Sequence, residues 1–231
     1  MAAPLVIMPV KDSLRTTEES IRAILASGYS LRVYDDYSRP ENATRLDQLS
    51  TELGIKVIHL SEHICHPSPN YRWILIEAQR EAIQNNQPLV IVESDVIVRP
   101  NTIKRMMDAV TPRTGLVAAI TMDEQGKINF PYEYAQQIKE DGLCRKRLSF
   151  CCTLLSTAFL RTYDFVQLNP AKNWYDVHIS HVALQMGFEN ILQISNPVLH
   201  KPHSSRPWKR LKYTNPILYY WCKLIQHRDR I

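Results

Sequence analysis

The chain has 231 residues, of which 45% are hydrophobic and 22% charged, which suits one globular domain with a short appendage. No apolar run reaches the roughly 20 residues that cross a bilayer, so we expect no membrane span. No basic segment precedes the N-terminal apolar stretch, so we expect no secretory signal and a cytoplasmic protein. Five cysteines without C-x-x-C spacing fit reduced thiols better than disulfides or a cysteine zinc site. The six glycines form neither a G-x-G-x-x-G pattern nor a phosphate loop.

The net charge of +5 is concentrated at the C-terminal end. From residue 200 to 231, eight Lys or Arg stand against one acid, giving +7, whereas the first 199 residues carry −2. A near-neutral body with a basic end indicates an anionic partner for that end. No helix-turn-helix, zinc-finger or RNA-binding motif accompanies the bases, so we expect no nucleic-acid partner.

Apolar runs predict strands, and helical spacing predicts helices between them. The first half reads as strand 5–10, a helix that begins with a capping box at 16–19 and ends at Gly28, strand 31–34, helix 43–53, strand 55–60, helix 71–85 and strand 89–92. The second half reads as helix 102–110, an apolar stretch 116–120, a weakly periodic region 123–141, strand 148–155, helix 176–186 and strand 191–194. This alternation predicts an α/β fold with a mostly parallel central sheet and helices on both faces.

Acidic residues follow three of these strands, as Lys11-Asp12, Asp35-Asp36 and Glu93-Ser94-Asp95. In a parallel sheet they would converge on one crevice at the carboxyl ends of the strands. Asp35-Asp36 fits either turn chemistry or hydrogen bonds to a nucleoside. Glu93 and Asp95 share a strand face and could bind one Mg²⁺ or Mn²⁺, although a solvated loop is the alternative.

The order of these signals resembles the family 2 glycosyltransferases, which have the GT-A fold. The matching segments are V-I-M-P-V-K-D at 6–12, V-Y-D-D-Y-S at 33–38, V-I-V-E-S-D-V-I-V-R-P at 90–100 and Y-D-V-H-I-S-H-V-A-L-Q-M-G-F at 175–188. The resemblance implies a GT-A-like domain over 1–205 with a basic, aromatic tail over 206–231. It also implies inverting, metal-dependent transfer of a sugar from a nucleotide-diphosphate sugar to a hydroxyl acceptor, such as a glycolipid or another glycan precursor.

The resemblance also implies roles for single residues. Asp95 would bind the Mn²⁺ or Mg²⁺ that bridges the diphosphate, with His200 or His203 completing the metal site. Asp176 would be the general base, for which a helix N-cap is the alternative. The candidate nucleotide-sugar-binding residues are Pro9, Val10, Asp12, Asp35, Asp36, Glu93, Ser94 and Arg206.

Some positions depart from the family pattern. Tyr37 stands where glycine is usual, so we expect the turn beside the nucleoside to differ, and Glu93 replaces the first Asp of D-x-D. These departures leave open a catalytically idle GT-A domain that binds a nucleotide sugar or a protein partner. In the tail, Asn215-Pro216 predicts the start of a short helix, which either packs on the catalytic domain or attaches to an anionic membrane surface.

Overall fold

A computed structural model describes residues 2–172, 174–201 and 215–225. The chain divides into two compact units, Met1–Lys201 and Pro202–Ile231. In the described part of the first unit, nine strands form one sheet. They are β1 (Leu5–Val10), β2 (Leu31–Asp35), β3 (Lys56–His59), β4 (Leu89–Val92), β5 (Val96–Ile97), β6 (Thr114–Met122), β7 (Gly142–Leu143), β8 (Cys152–Leu155) and β9 (Glu189–His200).

Helices and short 3₁₀ turns connect the strands. The helices of this unit are α1 (Leu14–Ala26), α2 (Pro40–Leu53), α3 (Tyr71–Gln84), α4 (Thr102–Asp108), α5 (Thr157–Thr162) and α6 (Tyr175–Gln185). The 3₁₀ turns are Leu60–Glu62, Glu133–Gln137 and Phe165–Gln167.

The sheet has the order β3-β2-β1-β4-β8-β6-β9-β5, and β7 pairs with β9. The first four strands in this order are mutually parallel, because α1, α2 and α3 provide the crossovers that parallel pairing requires. β6 and β9 are also parallel, whereas β8 runs antiparallel to both of its neighbours. The predicted fold class is confirmed, and the antiparallel β8 is an addition that the sequence pattern did not predict.

Both faces of the sheet are buried. On β1, Ile7 belongs to one hydrophobic cluster, while Val6 and Met8 belong to the other. On β4, Ile91 and Val90 divide in the same way. Burial on two faces explains why these strands read as continuous apolar runs rather than as alternating patterns.

The predicted capping box at 16–19 is wrong, because α1 already begins at Leu14. The residue before the helix, Ser13, makes no side-chain capping bond. The hydroxyls of Thr16 and Thr17 instead donate to the Ser13 carbonyl oxygen, at 3.0 and 2.8 Å. Threonine hydroxyls commonly form such bonds to the preceding turn, which places both residues inside the helix.

Two predicted strands have different lengths in the structure. The strand predicted at 191–194 is the 12-residue β9, which continues through a register shift opposite β6 between Ala119 and Thr121. The strand predicted at 148–155 is limited to Cys152–Leu155. The residues before β8 form a turn that Thr153 closes by donating its hydroxyl to the Ser149 carbonyl at 2.6 Å.

The described part of the second unit is one helix, α7 (Pro216–Ile225). The Asn215 side-chain oxygen accepts a hydrogen bond from the Leu218 amide at 3.0 Å, which confirms the predicted helix start at Asn215-Pro216. Within the described ranges, no helix combines the length and apolarity that crossing a bilayer would require.

Candidate active site

The strand ends predicted to form the site lie side by side. β1 lies between β2 and β4, and Val10 is paired with Asp35 across β1 and β2. Since the three strands are parallel, Lys11-Asp12, Asp36 and Glu93 leave the sheet at the same edge. The strand pairing thus places these strand ends at one edge of the sheet, and a shared ligand crevice there stays a prediction. Pro9 is half-buried and Val10 is buried at this end of β1.

Asp12 connects the end of β1 with the start of α2. Its Oδ1 accepts hydrogen bonds from the Arg39 amide and from Asn42 Nδ2, both at 2.8 Å. The Arg39 and Asn42 bonds and nearby positive charges hold the pKa of Asp12 below its ordinary value, although burial, the largest single influence, acts to raise it. In this structure Asp12 therefore fixes the loop above β1.

Asp35 is engaged by a histidine of the neighbouring strand. Its Oδ2 lies 2.8 Å from His59 Nδ1, and His59 Nε2 lies 2.9 Å from Asp47 Oδ1. Burial lowers the pKa of His59, but its hydrogen bonds with Asp47 and Asp35 outweigh burial and raise it. Asp35 thus ties β2 to β3 and α2.

Asp36 organises the loop that precedes α3. Its Oδ2 accepts hydrogen bonds from the Ser68 hydroxyl and the Asn70 amide, at 2.8 and 2.9 Å. Its Oδ1 accepts from Asn70 Nδ2 at 2.8 Å, and the side chain is buried. A direct contact of Asp35 or Asp36 with a nucleoside stays a prediction, while the observed partners give both residues a positioning role.

Tyr37 adopts a left-handed backbone with φ of 61°. Glycine is favoured there, since a side chain costs about 1–2 kcal/mol in that region. The Tyr37 hydroxyl donates to the Ile64 carbonyl, an anchor that glycine could not make. The turn at Tyr37 therefore has a backbone conformation that glycine would also suit. It differs from a glycine turn by the added side-chain contact.

Glu93, Ser94 and Asp95 form the turn between β4 and β5, closed by a hydrogen bond from the Val96 amide to the Glu93 carbonyl at 3.0 Å. Ser94 and Asp95 are buried. Pairing of Val96 with His200 brings the end of β9 against this turn, and Asp95 Oδ2 lies 3.5 Å from His200 Nε2. Both side chains are 1% exposed, which places a carboxylate and an imidazole together out of solvent.

Cys151 joins this group from the turn before β8. One ligand atom each from Glu93, Cys151 and His200 lie within 4.8 Å of one another. The buried His200 Nε2 has no hydrogen-bond partner among the described residues, whereas Nδ1 lies 3.4 Å from Asn129 Oδ1. A histidine with one ring nitrogen oriented by a partner and the other open matches the usual arrangement of a metal ligand. Oxygen, nitrogen and sulfur donors from a half-buried Glu93 and the buried Cys151 and His200 therefore fit a divalent cation.

Asp176 lies in the first turn of α6. The residue before α6 is Trp174, and no side chain caps the helix, so the alternative assignment of Asp176 as an N-cap is wrong. Its Oδ2 accepts a hydrogen bond from the Tyr132 hydroxyl at 2.5 Å, and its Oδ1 accepts from the Val177 amide at 2.8 Å. Burial raises the pKa of Asp176 to about 6 and the charge of Glu93 adds to the increase, while the two hydrogen bonds and Arg147 act in the opposite direction.

Tyr71 lies at the start of α3. Its hydroxyl is buried without a hydrogen-bond partner among the described residues. Burial raises the pKa of Tyr71 well above its ordinary value, and the charges of Glu93, Asp176 and Cys151 add to this. Tyr71 is therefore within electrostatic reach of Glu93, Cys151 and Asp176, and its hydroxyl, which no described residue engages, has a free donor for a ligand.

Sequence reasoning missed Tyr71, Tyr132 and Cys151 at this site. Each lies in a segment without a strong motif and reaches the site through long-range contacts, 44 residues apart in the case of Tyr132 and Asp176. The adjacent Cys151-Cys152 pair was only a weak indication of a site residue. Neighbouring residues at the start of a strand face different surroundings, so the pair does not show which cysteine faces the site. His203 and Arg206 lie outside the described residues, so their roles stay predictions.

No protein-family model matches the sequence, and no curated protein matches it. Solved structures, however, share its fold. The first 349 residues of S. aureus TarS superpose with a TM-score of 0.65 at 16% identity, over 87% of this chain and 60% of that one. GalNAc-T7, in a crystal structure with UDP, GalNAc and Mn²⁺, gives a TM-score of 0.60 at 14% identity over 86% of this chain and 43% of that one.

A longer TarS structure gives a TM-score of 0.56 at 13% identity, over 92% of this chain and 39% of that one. The chain thus spans 39% to 60% of the length of these three structures. At such identities the likeness establishes the fold alone. That fold is the α/β arrangement of GT-A-like glycosyltransferases, with a curled, mostly parallel sheet and flanking helices.

Proposed function

We propose that this chain is a metal-dependent, inverting glycosyltransferase that moves a sugar from a nucleotide-diphosphate sugar to a hydroxyl acceptor. The observation that carries the proposal is the proximity of two chemically different groups in a GT-A-like fold. One is the ligand cluster of Glu93, Asp95 and His200, and the other is the Asp176 carboxylate with its raised pKa. The charge of Glu93 contributes to the raised pKa of Asp176, which supports a common site for the two groups.

Asp176 is suited to act as the general base. A carboxylate with a pKa of about 6 holds a proton more strongly than an ordinary aspartate and is still ionised at neutral pH. The Tyr132 hydroxyl fixes the orientation of Oδ2. In the proposed reaction, Asp176 takes the proton from the acceptor hydroxyl as the acceptor oxygen attacks the anomeric carbon and the bond from that carbon to the diphosphate breaks.

Glu93, Asp95 and His200 would hold the divalent cation. A bound Mn²⁺ or Mg²⁺ supplies positive charge that stabilises the departing diphosphate. The fit of the residues supports this role, since Glu93 and His200 belong to one group of close ligand atoms and the buried Asp95 Oδ2 lies 3.5 Å from His200 Nε2. The presence of UDP and Mn²⁺ in the GalNAc-T7 structure gives independent support.

Donor binding and hydrolysis test the proposal directly. A panel of UDP-, GDP- and CDP-sugars is screened for thermal stabilisation with and without Mn²⁺, and the best donor is assayed for hydrolysis without acceptor. We expect one nucleotide to stabilise the protein when Mn²⁺ is present, and slow release of free sugar. A chain that binds a donor but never cleaves it is an idle GT-A domain, and one that binds none is outside the class.

We also propose that the C-terminal unit attaches to an anionic membrane surface, which would give access to a lipid-linked acceptor. The composition of α7 supports this attachment, because it exposes large apolar and aromatic side chains within a segment of charge +7. Ile217 is 83% exposed and Trp221 62%. Aromatic residues with flanking bases are typical of segments that lie at the level of lipid headgroups.

A further inference from the structure

Cys151 occupies a position at the proposed metal site that the D-x-D pattern does not account for. Its Sγ lies 3.4 Å from Glu93 Oε2, and the backbone carbonyl of Cys151 accepts a hydrogen bond from the Glu93 amide at 2.9 Å. The thiol is therefore held beside the Glu93 carboxylate by the pairing of the two chain segments. The buried His200 imidazole completes the set within 4.8 Å.

The spacing of these atoms is compatible with binding to one ion. Bonds to Zn²⁺ from nitrogen, oxygen and sulfur are about 2.0–2.3 Å long, so two ligand atoms of one tetrahedral ion are about 3.3–3.8 Å apart. Cys151 Sγ and Glu93 Oε2, 3.4 Å apart, already have this separation, and a set contained within 4.8 Å needs side-chain movements of about 1–1.5 Å at most. His200 contributes a nitrogen that is buried and has no hydrogen-bond partner among the described residues.

A neighbouring hydroxyl supports the thiol as a ligand. Ser149 Oγ lies 3.2 Å from Cys151 Sγ, and the Cys151 amide lies 3.4 Å from the same oxygen. A hydroxyl that donates to a thiolate stabilises its charge and fixes its direction, as the partners of metal ligands commonly do. Cys152, the next residue, has different surroundings, because its Sγ contacts Met106 Sδ at 3.8 Å and burial raises its pKa to about 12.

We infer that Cys151 is a direct ligand of the divalent cation, and that its sulfur makes the site prefer ions of intermediate softness, such as Co²⁺ and Zn²⁺, over Mg²⁺. Mg²⁺ favours oxygen ligands in octahedral geometry, whereas thiolate and imidazole favour the later divalent metals. The thiol proton passes to solvent when the sulfur binds the ion. This inference rests on the proposed function and narrows its cofactor to a class of ion.

The experiment uses Co²⁺, because a thiolate bound to Co²⁺ gives a charge-transfer band in the near ultraviolet. Full-length protein stripped with EDTA is titrated with Co²⁺ and, by calorimetry, with Co²⁺, Zn²⁺ and Mg²⁺. The variants are Cys151→Ser, Cys151→Ala and the control Cys152→Ala, each checked for folding by near-ultraviolet circular dichroism. Cys152→Ala removes an equally buried thiol from the adjacent position.

We expect the wild type and Cys152→Ala to show the band and to bind Co²⁺ and Zn²⁺ more tightly than Mg²⁺. Both Cys151 variants should lose the band and bind Co²⁺ about 10–100-fold more weakly, with a smaller change for Mg²⁺. If the wild type binds Co²⁺ tightly without the band, Cys151 is not a ligand. The same conclusion follows if Cys151→Ala binds Co²⁺ tightly and keeps the band. Either result would leave the proposed function intact. If no divalent ion binds the wild type, the metal dependence of the proposed function fails as well.

Discussion

At the level of single residues, the central group is Asp176, whose pKa is raised to about 6 mainly by burial. Since the proposed general base must be ionised to accept a proton, turnover should fall as the pH decreases below about 6. Asp176→Asn should lower turnover by about 10²–10⁴-fold and leave donor binding nearly unchanged. Steady-state kinetics and donor calorimetry from pH 5 to 8 measure both effects.

Tyr132→Phe provides the matched control for this prediction. It keeps the carboxylate and removes the hydrogen bond that lowers the pKa of Asp176, so the midpoint of the pH profile should move upward. At pH 8 most of the turnover should remain. Near-normal turnover of Asp176→Asn would instead leave Asp176 with a structural role only.

The same carboxylate should affect folding stability. Its pKa is higher in the folded protein than the ordinary value of 3.8, so its contribution becomes less favourable as the pH rises through about 6. Above that pH, the ionised group carries a desolvation cost that asparagine avoids. We expect Asp176→Asn to be more stable than the wild type by about 1–3 kcal/mol at pH 7.5. About half of this advantage should be lost at pH 5, since the change spans the interval between the two pKa values. Urea unfolding at both pH values checks the sign, and an advantage independent of pH would contradict the stated cause.

At the level of elements, the position of α6 against β6 depends on Gly115. A Cβ at this position would lie 2.9 Å from Phe188 Cβ and 3.1 Å from Ala183 Cβ, and Ala183 belongs to the helix that carries Asp176. Gly115→Ala should therefore destabilise the fold by about 1–3 kcal/mol. Gly142→Ala is the matched control, because its Cβ would meet no atom within 4 Å. Equal unfolding midpoints for the two variants would show that α6 does not depend on this contact.

The elements that the sequence predicted well are those governed by local pattern. β1, β2 and β4 are buried apolar runs, and their acidic ends meet at one edge as expected. The direction of β8 and the length of β9 were not predictable in this way, since both depend on pairing between distant segments. The capping box was wrong although it is a local pattern. The Thr16 and Thr17 hydroxyls donate to the carbonyl of the preceding turn, so both residues lie inside the helix and do not begin it.

In the candidate site, too, the sequence predicted the residues that belong to local patterns but not the contacts between distant segments. Glu93 and Asp95 were predicted because acids interrupt an apolar run, and Asp176 was predicted from the family resemblance of its segment. Their roles stay predictions. The sequence did not reveal that Asp35 is held by His59 and Asp36 by Asn70, since these contacts join residues 24 and 34 positions apart. Cys151 likewise reaches Glu93 across 58 positions.

At the level of the whole molecule, the charge is divided between a body of −2 and a tail of +7. Bases near an anionic bilayer contribute about 1 kcal/mol each, so three engaged bases would give a roughly hundredfold preference for anionic over neutral vesicles. This preference should weaken with salt, and burial of aromatic residues should add a salt-resistant part. Co-sedimentation of the full chain with phosphatidylserine-containing and neutral vesicles measures it.

A chain ending at Pro207 is the comparison for this experiment, provided that circular dichroism shows it to be folded. It should lose the preference for anionic vesicles. Equal sedimentation of the full chain with both vesicle types, or unfolding of the shortened chain, would assign the tail a structural role.

The most direct test of the proposed metal-dependent transfer is nucleotide binding measured by calorimetry with UDP, GDP and CDP, in Mn²⁺ and in EDTA. The buried pair of Asp95 and His200 predicts that one of these nucleotides binds at least tenfold more tightly with Mn²⁺, and that Asp95→Asn removes most of this difference. Asp108→Asn, which removes a surface carboxylate paired with Lys104, should behave like the wild type. Equal affinity of the wild type in Mn²⁺ and in EDTA would contradict the account.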